Sequence, residues 1–143
     1  MTTSINVNLP DVVAEVAAAF AAYERALANN DSILIHTLVW QDPRTVRYGL
    51  DDTQHGSDEI RKFNSSRHRI STRIMEGTTI LTTFGYDCAT VSTEFACENP
   101  DLRGRRTVVW ARVGPDSQPE AGLHCGWRIV ASHDSVISDR LAP

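Results

Sequence analysis

The sequence is short of cysteine and has no excess of basic charge, and each shortage narrows what it can do. Its three cysteines, Cys88, Cys97 and Cys125, are odd in number and form no CxxC pair, so neither a disulfide framework nor a redox pair is expected. Each falls in a strand-like apolar segment and reads as a reduced core residue. Lysine and arginine total 14 against 18 acidic residues, a net charge of −4. That balance supplies no field for nucleic acid or an anionic membrane surface, and neither is expected as a partner. No apolar run approaches the length of a membrane-spanning helix. No lysine or arginine precedes the first apolar segment, and Glu15, Glu24 and Arg25 interrupt it. A secretory leader is therefore not expected, and the expected location is the cytoplasm.

Familiar catalytic signatures are missing as well. There is no GxSxG elbow, no GxxxxGK[ST] phosphate loop and no GxGxxG following a strand. His36, His55, His68, His124 and His133 show no zinc-site spacing such as HExxH, so no metal or other cofactor is expected. Repeats and low-complexity segments are absent. A hydrophobic content of 41% and a charged content of 22% over 143 residues suit one globular domain spanning 1–143.

What is present reads as helices first and strands afterwards. Pro10 and Asp11 suit a first helical turn, and Val13, Val16, Phe20, Tyr23 and Leu27 line one side of the helix that follows. Asn29-Asn30-Asp31 breaks it, and Asp31 caps a short second helix through Leu38. Asp42-Pro43 turns the chain into a strand at Thr45–Gly49, and Ser57 caps a third helix. Then come Arg73 to Phe84, Cys88 to Glu98, Arg105 to Val113 and Leu123 to Val136, all strand-like and divided by polar turns. On the last strand, Trp127, Ile129, Ala131 and His133 share a face if alternation holds. This order predicts an α+β domain, a curved antiparallel sheet wrapped as an open cone around the long N-terminal helix. Cones of this size hold small ligands.

The third helix carries the sharpest hint. Ile60, Phe63, Asn64 and Arg67 fall at i, i+3, i+4 and i+7, so an arginine and an amide lie within an apolar stripe. Arg47 is one strand away. Two arginines turned inward suit a small anion, since a guanidinium fork matches a carboxylate and an unpaired buried charge is costly. Equally open is a snorkelling Arg67 with Arg47 on a solvated face. Tyr23 reads either as a core aromatic with a bonded hydroxyl or as a donor at the pocket. His133 is either structural or a proton carrier. Trp40, Tyr48 and Asn64 lie nearby in this topology as candidate substrate contacts. The arginines of the Arg103 to Arg106 run read as a solvated or sheet-edge feature, with Glu94 a candidate ion-pair partner.

Several segments resemble the AtzH-like and HpxZ-like group of the SnoaL-like, nuclear-transport-factor-2-like superfamily. They are Leu38-Val39-Trp40, Thr45-Val46-Arg47-Tyr48-Gly49, Gly56 with Ile60, Phe63 and Arg67, Thr83-Phe84-Gly85, Glu94-Phe95, Gly104-Arg105, Trp110-Ala111-Arg112, and Gly126-Trp127-Arg128-Ile129-Val130-Ala131 with His133. The resemblance implies a cone-shaped homodimer that cleaves small carboxylated urea-type compounds. It also implies that Tyr23 and Arg47 matter for catalysis, with Arg67 at the end of the third helix. The sequence departs from the pattern at Asp52, where glutamate is expected, at His55, where an aromatic is usual, and at Asn64, in place of an arginine.

The leading expectation is a cofactor-independent amidohydrolase acting on a small N-carboxylated urea or related dicarboxylate. Arg47 and Arg67 would hold carboxylates, Tyr23 would donate a proton, His133 would assist, and water would attack. A direct decarboxylation is equally writable. The alternatives are a non-catalytic accessory subunit of a partner amidase, and a proton-transfer isomerase. The isomerase needs an inward carboxylate, which Asp51 and Asp52, both in a polar turn, do not offer.

Overall fold

Pro10 opens helix α1 (Pro10–Ala28) and buries one side of it, with Val12, Val16, Ala19, Phe20, Ala22, Tyr23, Ala26 and Leu27 facing the sheet. The computed structural model describes residues 4–66, 73–114 and 120–138. Helix α2 (Ser32–Leu38) is capped by Asp31, whose side chain accepts the Leu34 N–H at 3.0 Å. Strand β1 (Val46–Tyr48) and strand β2 (Thr53–His55) form a hairpin, and helix α3 (Ser57–Ser66) follows directly. Ser57 is the first residue of that helix rather than its cap, and Glu59 reaches back to accept the His55 N–H at 3.0 Å.

Strand β3 (Arg73–Ile74) and strand β4 (Ile80–Phe84) are separated by a turn, where a single strand is expected from the sequence. Both pair with β5 (Cys88–Ala96), which pairs with β6 (Leu102–Arg112), which pairs with β7 (Trp127–Ser138). The spatial order is β2-β1-β7-β6-β5-β3, with β4 also on β5, so the seven-stranded sheet does not close on itself. Among the described strands the pairings are antiparallel except β1 on β7, beside which Val39 makes a further parallel bridge to Ile129. The core lies between α1 and the concave sheet face, where Val91, Val108, Trp110, Trp127 and Ile129 are buried. No helix among the described residues is long and apolar enough to cross a membrane.

One irregularity controls which side chains face inward. Opposite β6, Val109 pairs with Ala131 but Trp110 pairs with Ile129, which leaves Val130 as an extra residue on β7. A bulge of this kind reverses the parity of everything beyond it. Trp127 and Ile129 therefore face the core, as alternation predicts, but Ser132 and Asp134 follow them there. Ala131 and His133 do not share that face, and His133 is exposed. The cysteines also depart from expectation: all three are free, but Cys88 and Cys125 are exposed and Cys97 is half-buried. Cys88 is the first residue of its strand after a turn, and Cys125 lies in the irregular 3₁₀ segment Glu120–Gly126, at φ 54. Cys88 therefore sits at the end of its strand, and Cys125 lies outside the sheet.

Candidate active-site pocket

A small, partly open pocket of about 10 Å³ lies among α1, α2, α3, β1 and β7. Ile35, Val39, Val46, Ile60 and Ile129 give it apolar walls, and Tyr23, Thr45, Arg47, Asn64 and Ser132 supply its polar groups. This is the usual make-up of a small-molecule site, apolar with a few placed donors and acceptors. Its local frame is stiff. Thr45 donates its hydroxyl to the Trp40 carbonyl at 2.9 Å, and Trp40 donates its N–H to the Ile129 carbonyl at 3.0 Å.

Arg47 enters from β1, and register explains its direction. Its neighbours across the sheet are Gln54 on β2 and Ser132 on β7, both buried, so all three share the inner face. The side chain retains 11% exposure and is held on one nitrogen. Nη1 donates to the Asp52 carboxylate in a tight ion pair and to Gln54 Oε1 at 2.7 Å. The Phe63 ring lies 4.4 Å from the guanidinium carbon and stacks on its plane. No described residue accepts from Nε or Nη2. Those two N–H groups form the edge that grips a carboxylate in two parallel hydrogen bonds.

Tyr23 is buried at 6% exposure, with its ring edge-on to Trp110 at 6.3 Å between centroids. Beside it in the core lies a second arginine, Arg106 on β6, with 4% of its side chain exposed. Nη1 of Arg106 donates to both oxygens of Glu24 at 3.0 and 3.1 Å, and Nε and Nη2 grip Asp134 at 3.0 and 3.2 Å. Burial opposes the Arg106 charge, but Asp134, Tyr23 and Glu24 outweigh it, and its pKa rises above the ordinary arginine value. Glu24 moves the other way from a typical paired carboxylate. Burial is the largest influence and raises its pKa, with Arg106 pulling against that shift.

Of the residues that the sequence singles out, Tyr23, Arg47 and Asn64 meet at this pocket. Arg67 lies outside the described residues, as does His68. Trp40 is half-buried beside the pocket and is not among its lining; its ring is covered by Arg44 at 4.9 Å. Tyr48 is 40% exposed on the other sheet face, where it packs edge-on against His55 and His133, its register partner on β7. The face expected for His133 is thus corrected by the bulge at Val130, and Tyr48, a candidate substrate contact, lies on the sheet face opposite Arg47 and away from the pocket. Arg106 is also a correction, since β6 is an interior strand and this arginine points into the core rather than at solvent. Arg103, in the same run, does pair with Glu94, at 3.1 Å.

Sequence reasoning passes over Gln54, Ser132 and the role of Asp52. Asp51 is exposed, but Asp52 is half-buried against Arg47. The two-residue period of β2 is a usable signal for Gln54. None exists for Ser132, whose inward face depends on the bulge.

A family model described as AtzH-like matches residues 5–140. No curated protein matches the chain. Among solved structures, a cystatin-like fold protein from Burkholderia xenovorans LB400 is 43% identical, with a TM-score of 0.81, over 94% of this chain and 98% of that one. A protein of unknown function from Pectobacterium atrosepticum SCRI1043 is 39% identical, with a TM-score of 0.78, over 92% of this chain and 95% of that one. A nuclear transport factor 2-like superfamily protein from Salmonella enterica serovar Typhimurium shares the fold at 19% identity and a TM-score of 0.66, covering 87% of this chain and 90% of that one.

Proposed function

The chain belongs to the AtzH-like family and has a nuclear-transport-factor-2-like fold, and from that premise we propose an amidohydrolase acting on a small N-carboxylated urea or related dicarboxylate. The observation that carries the reading is convergence. Tyr23 from α1, Arg47 from β1 and Asn64 from α3 reach one apolar-walled pocket, and no described residue accepts from the Nε and Nη2 of Arg47. An arginine edge inside low-dielectric walls binds a carboxylate far better than the same edge in water.

In this reading the substrate carboxylate sits on Nε and Nη2 of Arg47, and the ureido group lies along the apolar wall toward Tyr23. A water oxygen bonds to the carbonyl carbon, the C–N bond breaks, and the leaving nitrogen takes a proton from the Tyr23 hydroxyl. The proton released by the attacking water returns the tyrosine to its neutral form, so one water is consumed for each C–N bond broken. Asn64 is placed to hydrogen-bond the carbonyl or the ureido nitrogen. His133, on the opposite sheet face, has no part in it. The isomerase alternative gains nothing from Asp52, because that carboxylate is engaged with Arg47 and does not stand alone on an apolar wall.

The test is thermal stability against acetate, malonate and N-carbamoylglycine, followed by an assay for ammonia release. A ligand that binds only the folded protein raises its melting temperature. A rise with carboxylates that vanishes in Arg47→Ala supports the reading. No rise with any of the three removes it and leaves the accessory-subunit alternative.

A further inference from the structure

The loop that joins β1 to β2 is organised around a space. Gly49 donates its N–H to the Asp52 carbonyl at 2.9 Å, closing the turn. A Cβ at position 49 would lie 2.5 Å from Asp52 Oδ1, 2.8 Å from Asp52 Oδ2 and 2.8 Å from Arg47 Nη1. The backbone of Gly49 is not in the left-handed region, unlike that of Gly56 or Gly85. What position 49 requires is therefore room, not an unusual φ. The room is filled by the ion pair between Asp52 and Arg47.

That pair has a directional consequence. Nη1 carries two protons, and its two acceptors are Asp52 and Gln54. Phe63 fixes the plane of the group from one face. With Nη1 anchored and the plane fixed, rotation about the last side-chain bonds is stopped. The Nε and Nη2 edge is then aimed one way. An arginine chain otherwise has many rotamers, and a ligand that must freeze them loses affinity in doing so.

We propose that Asp52, admitted by the missing side chain of Gly49, is the positioning residue of this site, clamping Arg47 so that its Nε and Nη2 edge is presented to the pocket. The proposal rests on the reading of Arg47 as the carboxylate-binding group, but the clamp belongs to the unliganded protein and is testable without a ligand.

The experiment is nitrogen-15 NMR of the arginine side chains, with the Arg47 signals assigned by their loss in Arg47→Ala. A clamped guanidinium rotates slowly and shows separate Nη1 and Nη2 signals; a loose one shows an average. Separate signals are expected in the wild type, with averaging in Asp52→Ala and in Gly49→Ala. Asp52→Asn, which keeps an acceptor, should restore most of the separation. Averaged signals in the wild type overturn the proposal, and so do separate signals that persist in both Asp52→Ala and Gly49→Ala. Two variants guard against one that misfolds. Malonate titration of the same proteins is the second arm. Each single variant should bind about tenfold or more weakly, the scale on which small misplacements of a binding group are felt. The double variant should bind no more weakly than either single one, because both changes break one clamp. If the signals behave as expected but no protein binds malonate or N-carbamoylglycine, the clamp stands and the carboxylate reading of Arg47 fails.

Discussion

Arg106 and Arg47 both turn toward the concave side of the sheet, and the protein treats them differently. Arg106 on β6 and Arg47 on β1 are alike in their immediate setting: each lies over a phenylalanine ring, Phe95 at 4.7 Å and Phe63 at 4.4 Å. Each also depends on a nearby glycine for space, since a Cβ on Gly104 would collide with the Phe95 ring and one on Gly49 with the Asp52 carboxylate. The difference lies in what their nitrogens hold. Arg106 is engaged through Nη1, Nε and Nη2 by two carboxylates, Glu24 and Asp134. Among the described residues, Arg47 is engaged through Nη1 alone. A guanidinium gripped on all sides by the protein is a structural part. One that is gripped on a single nitrogen, beside a pocket, is placed to bind something else. The comparison separates a cation that holds α1 to the sheet from one that, in the proposed function, receives the substrate carboxylate.

The widest gap between the two should appear on deletion. Arg106→Leu leaves Glu24 and Asp134 buried without compensation, and breaking a buried pair in this way costs about 3–5 kcal/mol. Urea unfolding monitored through tryptophan fluorescence should show that loss. Combining Arg106→Leu with Glu24→Gln and Asp134→Asn should recover much of it, because the stranded charges are then gone. Arg47→Ala removes hydrogen bonds to one half-exposed carboxylate and one amide, so its cost should stay within about 2 kcal/mol. Its main effect should be on the carboxylate-induced rise in melting temperature. Comparable destabilisation by the two substitutions, with ligand binding untouched in Arg47→Ala, would collapse the distinction.

Tyr23 stands between the two arginines and sharpens the comparison from the chemical side. It lines the pocket of Arg47 and lies close enough to Arg106 to share its electrostatics. Tyr23→Phe keeps the ring that packs on Trp110 and removes only the hydroxyl. Turnover of a ureido substrate should fall by about 10²–10⁴, the usual contribution of a positioned proton donor, with affinity nearly unchanged. Loss of affinity with turnover per bound substrate intact would make Tyr23 a binding group instead.

The sequence made some of this legible and hid the rest for reasons that are local and physical. The start of α1 at Pro10 and the cap at Asp31 are visible because their signals lie within a few residues of their effect. The α+β order of the elements is visible for the same reason. The inward face of Arg47 follows from alternation only once its strand partners are known. Strict alternation puts His133 on the face of Ile129, and a single extra residue at Val130 undoes that for every position beyond it. Nothing in the composition of that segment marks a bulge. Arg106 is harder still, because its carboxylate partners lie 82 and 28 residues away in the chain. A run of arginines reads as solvated unless the fold brings acids to meet one of them.

The subtlest distinction between the two arginines is in their response to pH, and it runs through Glu24. Burial raises the pKa of Glu24 above its ordinary value of 4.5. In the interval between the unfolded and folded pKa values, the folded protein then binds more protons than the unfolded chain. Stability falls as pH rises through that interval. The contribution is fully present below the unfolded value and is lost as pH climbs through the folded one. Glu24→Gln cannot titrate, so the stability advantage of the wild type over this variant should shrink as pH rises above the unfolded carboxyl value. Urea midpoints of the two proteins at a series of pH values measure it directly. The same series on Arg47→Ala should run parallel to the wild type, since that substitution leaves Glu24 and its partners in place. An advantage that instead grows with pH would mean that the attraction of Arg106 outweighs burial at Glu24. The cluster would then be a net source of charge stabilisation, with the Glu24 carboxyl shifted the opposite way.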